Sequence, residues 1–146
     1  MKNILLVFLV LLNVAPIVPG ASAQSKPVMK VYVAPNANQN NPVALDLVLV
    51  KDKKLLKELM KLSASEWFQK RNQYRLDYPK EIGLGAGSWE WVPGQVVASI
   101  PLKHRFAGGI IFANYSTPGA HRASINLRKS VLVNLGEEGF TVTSDK

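Results

Sequence analysis

The 146-residue sequence contains no cysteine and only two histidines. Without cysteine there can be no disulfide framework, thiol nucleophile, thiolate metal centre or lipid attached through sulfur. His104 and His121 are the only imidazoles, and no H-E-x-x-H spacing is present, so a zinc site has few ligands to draw on. His104 lies between Lys103 and Arg105, and His121 precedes Arg122; neither neighbourhood suits a catalytic base. Acidic residues are scarce as well, 10 against 18 Lys and Arg, for a net charge of +8. Glu66, Asp77, Glu81 and Glu90 are the candidates for a carboxylate pair of the kind that cleaves glycosides, but Glu66 is already accounted for by a helix cap, and Glu90 alternates with two tryptophans and faces away from them. The nucleophile elbow G-x-S-x-G is missing; the nearest serine after a glycine, Ser88, opens a predicted strand. Glu137-Glu138 is too sparse for a calcium loop. The run Gly83-x-Gly85-x-Gly87 lacks the last glycine of the dinucleotide fingerprint, since residue 88 is serine, and reads as a flexible link between a helix and a strand. The expectation is a protein that is not an enzyme and uses neither metal nor cofactor.

What is present begins with an address. Lys2 precedes the unbroken apolar run Ile4–Leu12, helix breakers follow at Pro16 and Pro19-Gly20, and Ala21-Ser22-Ala23 closes the segment. That layout predicts a secretory signal peptide over residues 1–23, cut after Ala23. The run is too short for a membrane span, which needs about 20 apolar residues. The remainder, residues 24–146, has the length of a single domain. Export places it in the periplasm or beyond and argues against nucleic acid as the natural partner, despite the positive charge.

Val28–Val33 is rich in β-branched residues and reads as a strand. The Asn-rich segment from Pro35 to Pro42 breaks it; it reads as a hairpin loop, and its length also makes it a place for binding. In Val43–Val50, Leu45, Leu47 and Leu49 share one face while the other face is also mostly apolar, which predicts a central strand covered on both sides. A helical insertion over about 52–78 follows. Asp52 caps its first helix, and Ser63-x-x-Glu66 is a capping box for the second. Lys53, Lys57 and Lys61 form a basic stripe, with Lys54, Lys70, Arg71 and Arg75 nearby; it is either the solvated side of an amphipathic helix or a face for an anionic membrane surface.

Further strands are expected at Ser88–Val92, at Val96–Leu102 after a Pro93-Gly94 type II turn, at Gly108–Tyr115, at His121–Leu127 and in a final hairpin around Gly136 and Gly139. About seven or eight strands at this spacing make a mainly β chain, a β-sandwich with a small helical insertion. Trp89 and Trp91 fall on one strand face, as core or as a stacking platform for a sugar ring.

The order of these parts resembles the TssJ-type outer-membrane lipoproteins of type VI secretion. The resemblance rests on Asn41-Pro42-Val43 through Asp52, on Val92-Pro93-Gly94, and on Ala107 through Tyr115 with His121-Arg122 beyond. It implies a transthyretin-like β-sandwich with a structural role, docking the periplasmic domain of a TssM-like inner-membrane protein so that an envelope-spanning complex can assemble. It further implies that the loop between the first two strands makes that contact, which here selects Asn36, Asn38, Gln39 and Asn40. The family's lipid-bearing Cys is absent, so any outer-membrane association would run through protein contacts. The competing expectation is a periplasmic or secreted β-sandwich module that binds an anionic or carbohydrate ligand.

Overall fold

The computed structural model describes residues 25–144; the predicted leader, residues 1–23, lies outside them. Eight strands form two four-stranded sheets. The first sheet has β1 (Val28–Val33) at its centre, hydrogen-bonded to β4 (Ile100–Pro101) on one side and to β7 (Val131–Leu135) on the other, with β8 (Phe140–Ser144) beyond β7. The second runs β3 (Ile82–Trp91), β2 (Val43–Val50), β5 (Gly108–Asn114), β6 (Arg122–Ile125). All pairings are antiparallel except β1 with β7, which run parallel in the register Met29↔Val131 to Val33↔Leu135.

Side chains alternate across each strand, so the sheets can close only by facing their apolar sides. Leu45, Leu47 and Leu49 of β2 meet Val31 and Val33 of β1 and Val133 and Leu135 of β7 in the main core. Each such fully buried aliphatic side chain stabilises the fold by about 1.5–3 kcal/mol. The other face of β2 is covered too. The helices α2 (Lys53–Leu59) and α3 (Ala64–Asp77) lie over Val48, Val50, Ile110 and Phe112 and form a second core around Leu55, Leu59 and Trp67. Asp52 Oδ1 accepts from the Leu55 N–H at 2.7 Å, and Ser63 and Glu66 form a reciprocal capping box, as their spacing predicts. The Trp67 ring stacks on Phe112 with centroids 5.1 Å apart.

One charged residue stands among these apolar positions. Asp46 of β2 is fully buried beneath α3, where Trp67 Nε1 donates to its Oδ2 at 2.9 Å and Arg71 Nη1 reaches both oxygens at 3.1 Å. Arg71 therefore leaves the basic face expected for this helix and turns inward.

Three expectations need correction. The 35–42 segment is no hairpin loop: β1 and β2 belong to different sheets, and the segment crosses from one to the other. The glycine run lies inside β3 rather than in a linker, because β3 pairs with β2 along its length. A bulge there lets it take extra residues between Leu47↔Gly87 and Leu49↔Gly83, and a Cβ at Gly83 would stand 3.1 Å from the Phe106 ring, so the absent side chain leaves room for that packing. The expected return strand Val96–Leu102 shrinks to Ile100–Pro101 and a bridge between Tyr32 and Val96, and it joins β1 in the opposite sheet instead of turning back on β3.

Candidate functional site: the loops at one end of the sandwich

The 35–42 segment is ordered by an unusual backbone. Ala37–Asn40 (α1) is a single helical turn in which Asn38, Gln39 and Asn40 all take positive φ, at 47°, 55° and 65°. A left-handed conformation costs an L-residue roughly 1–2 kcal/mol, and Asn tolerates it better than most because its short amide can bond the local backbone. Three in succession persist only where surrounding contacts hold them.

Those contacts come from two other loops. The Asn38 N–H donates to Gly136 O at 3.0 Å and the Gln39 N–H to Glu137 O at 3.2 Å, both in the β7–β8 turn. Asn36 Nδ2 donates to Glu137 Oε2 at 3.0 Å. Asn38 Oδ1 accepts from the Ser116 N–H at 2.9 Å and from its hydroxyl at 3.1 Å, in the β5–β6 loop. Asn38 Nδ2 donates to Pro42 O at 2.9 Å, and Asn41 Nδ2 bonds Asn38 O at 3.1 Å and Gln39 O at 3.2 Å. A fourth loop joins where the Gly94 N–H donates to Ala34 O at 3.1 Å. There the predicted Pro93-Gly94 turn forms, with Gly94 at φ 75° and the Gln95 N–H bonded to Val92 O at 3.1 Å.

The four residues singled out from sequence are thus brought together, but with different jobs. Asn36, Gln39 and Asn40 are exposed. Asn38 is only 5% exposed, and its amide is used entirely by Pro42 and Ser116. Its side chain shapes the platform from inside rather than facing solvent. Sequence reasoning missed Ser116 and Glu137, the partners that fix the turn. The only signal for Glu137 was its position between Gly136 and Gly139, which marks the tip of a hairpin; nothing in sequence joined it to a segment a hundred residues away.

Beneath the platform sits an aromatic pair. Tyr115 is buried and stacks on the His121 ring at 5.0 Å, while His121 Nε2 lies 2.8 Å from Thr117 O and the Thr117 hydroxyl donates to Glu138 O at 2.6 Å. Burial pushes the Tyr115 phenol up to about 12, an effect that the nearby Gly136 backbone only partly offsets. Neither histidine meets a carboxylate among the described residues, and no group of three metal-ligating side chains occurs there. The outer surface of this end carries amides, hydroxyls, the two carboxylates Glu137 and Glu138 and the exposed apolar side chains of Val92 and Val96; the loops 34–42, 92–99, 115–121 and 136–139 contain no Lys or Arg. This arrangement can accept and donate hydrogen bonds over a preformed, uncharged to acidic surface, and it contains no activated nucleophile.

Trp89 and Trp91 stand at the end of β3 that leads into the 92–99 loop, so their groove adjoins the platform and runs from that loop along β4. Their rings stack at 5.3 Å, Trp91 is 4% exposed and Trp89 half-buried, and together with Val97, Ile100 and Lys103 they line a groove of about 510 Å³. Trp91 is core; Trp89 closes the core and also edges the groove.

No protein-family profile and no curated protein matches the chain. Among solved structures, the type VI secretion lipoprotein TssJ1 of Pseudomonas aeruginosa superposes with a TM-score of 0.63 at 14% identity, over 84% of this chain and 97% of that one. Lip of Serratia marcescens, a membrane-bound component of the type VI secretion system, superposes with a TM-score of 0.57 at 13% identity, over 81% of this chain and 95% of that one. Over most of its length the chain is similar in fold to these two secretion components, a β-sandwich of the TssJ kind.

Proposed function

We propose that the chain is a non-enzymatic envelope component of a type VI-like secretion system, which docks the periplasmic domain of a TssM-like inner-membrane protein and so supports assembly of the membrane complex. The observation that carries this reading is the left-handed turn Ala37–Asn40, held rigid by two other loops with Asn36, Gln39 and Asn40 facing solvent. A surface built before the partner arrives loses little conformational freedom on binding. The fold likeness to TssJ1 and Lip, a lipoprotein and a membrane-bound component of type VI secretion, supports the secretion-system part of this reading.

The test is a crosslinking pull-down from the native envelope, read by mass spectrometry, with the double variant Gln39→Gly and Asn40→Gly. Glycine accepts positive φ, so the variant removes the two side chains and keeps the turn. Recovery of a long inner-membrane secretion protein by the parent chain, and its loss with the variant, supports docking. Recovery unchanged by the variant removes the site; recovery of no envelope protein at all removes the function.

The Trp89 groove supports a second reading, a binding module for a carbohydrate or anionic ligand, because a half-buried indole beside Lys103 offers both stacking and charge. Tryptophan fluorescence during titration with oligosaccharides measures it directly, and a flat titration ends it.

A further inference from the structure

The two ends of the sandwich differ in charge. Opposite the Asn-rich platform, four segments meet: the entry to β1, the β2–α2 turn, the β4–β5 loop and the β6–β7 loop. The Leu102 N–H donates to Pro27 O at 2.9 Å, the Ala107 N–H to Val50 O at 2.9 Å and the Val28 N–H to Ser130 Oγ at 3.2 Å, which draws all four into one surface. Lys26, Lys53, Lys103, Arg105, Arg128 and Lys129 emerge from it, all exposed. Asp52 is engaged as a helix cap; the turn before β3 reaches the same end, where the Lys51 N–H donates to Glu81 O at 2.9 Å, and adds the Glu81 carboxylate together with the exposed Lys51 and Lys80; none of the six cations forms an ion pair among the described residues. Two clefts open between them. Lys26, Lys103 and Arg105 rim one of about 390 Å³; Lys53 and Arg128 rim another of about 550 Å³; His104 stands between and borders both.

We propose that this end lies against an anionic lipid surface, with phosphate headgroups entering the two clefts. Six cations on separate loops, held together on one side of a small domain, attract a phosphate-bearing plane far more than any single pair would. A protein partner fits less well, because interfaces centre on apolar or aromatic anchors and these four segments expose no large apolar side chain. Nucleic acid fits less well for want of a free aromatic ring: Phe106 is half-buried, with the Arg105 guanidinium 5.4 Å from its centroid. The inference is independent of docking, since the two surfaces lie at opposite ends of the strands.

The experiment is co-sedimentation of the full chain with vesicles of phosphatidylcholine alone and of phosphatidylcholine with about a third phosphatidylglycerol. Two triple variants of equal charge are compared: Lys26→Glu, Lys103→Glu and Arg128→Glu at the basic end, and Lys57→Glu and Lys61→Glu on the helical stripe with Lys70→Glu on α3. The apolar leader is common to all three proteins, so it cancels in the comparison. At about fivefold for each cation removed, and with three repelling carboxylates introduced, the first variant loses more than about a hundredfold of its partitioning to anionic vesicles. The stripe variant loses far less, and salt near 0.5 M abolishes the difference. Equal losses in the two variants, or binding indifferent to phosphatidylglycerol, overturns the proposal. Binding to soluble polyglutamate but not to vesicles assigns the surface to an acidic protein and overturns it too. Matching circular dichroism and thermal melts exclude misfolding of either variant.

Discussion

Asn38 and Ser116 are joined by two hydrogen bonds to one oxygen, at 2.9 and 3.1 Å, across 78 positions of sequence. That junction ties the connection between the two sheets to the far end of β5, and it converts a polar loop into a fixed surface. Asn38→Gly keeps the positive φ and removes the amide, so it isolates the hydrogen bonds. The expected cost is about 1–3 kcal/mol, because the Ser116 N–H loses its acceptor. Asn38→Asp costs at least as much, since a carboxylate oxygen would then face the Pro42 carbonyl in place of a donor. Urea unfolding gives the cost, and protease cleavage within 36–41 reports loosening of the turn.

Asp46→Ala is expected to be the more damaging change. It strands Trp67 Nε1 and removes the acceptor that turns Arg71 inward. Breaking a buried charge pair from one side costs about 3–5 kcal/mol. The Arg71 side chain keeps 32% of its exposure and can swing to water, which places the expected value near the lower limit. Asp46→Asn retains an acceptor for the indole and loses less. Urea midpoints rank the two, and near-ultraviolet circular dichroism of the Trp67–Phe112 stack shows whether α3 has shifted.

Tyr115 gives the fold an alkaline limit. Its phenol is pushed from the ordinary value of 10.0 up to about 12 in the folded chain, so between these values the folded state holds a proton that the unfolded state has released. Stability is then fully present below pH 10, falls as pH rises toward 12, and levels off beyond. Tyr115→Phe removes this contribution. Thermal melts at pH 8 and at pH 11 should differ less in Tyr115→Phe than in the parent chain, and an equal fall in both proteins excludes Tyr115 as the cause.

Local rules carried much of the fold. The alternation of Leu45, Leu47 and Leu49, the Asp52 cap and the Ser63–Glu66 box all act within a few residues, so their geometry is written in their spacing. What spacing could not express was which sheet each strand joins. β4 pairs with β1 and not with its neighbour β3, and a glycine run that reads locally as a linker becomes a strand because β2 lies beside it. The site followed the same division. The Asn-rich segment stands out by composition, yet Asn38 turns inward because Ser116 and Pro42, one distant and one local, compete with solvent for its amide. Asp46 carried a signal of its own, as the single charge in an otherwise apolar strand.

The parallel pairing of β1 with β7 has a consequence for the order of events during synthesis. β1 waits for residues 131–135, about a hundred positions downstream, before its parallel ladder can form. Pairings this remote in sequence form slowly. A chain threaded through a membrane N-terminus first would therefore emerge with β1 held only by the short β4 contact, and the first sheet would close only after β7 had crossed. Topology alone thus delays closure of the sandwich until the β7–β8 hairpin arrives, and keeps the chain threadable until then.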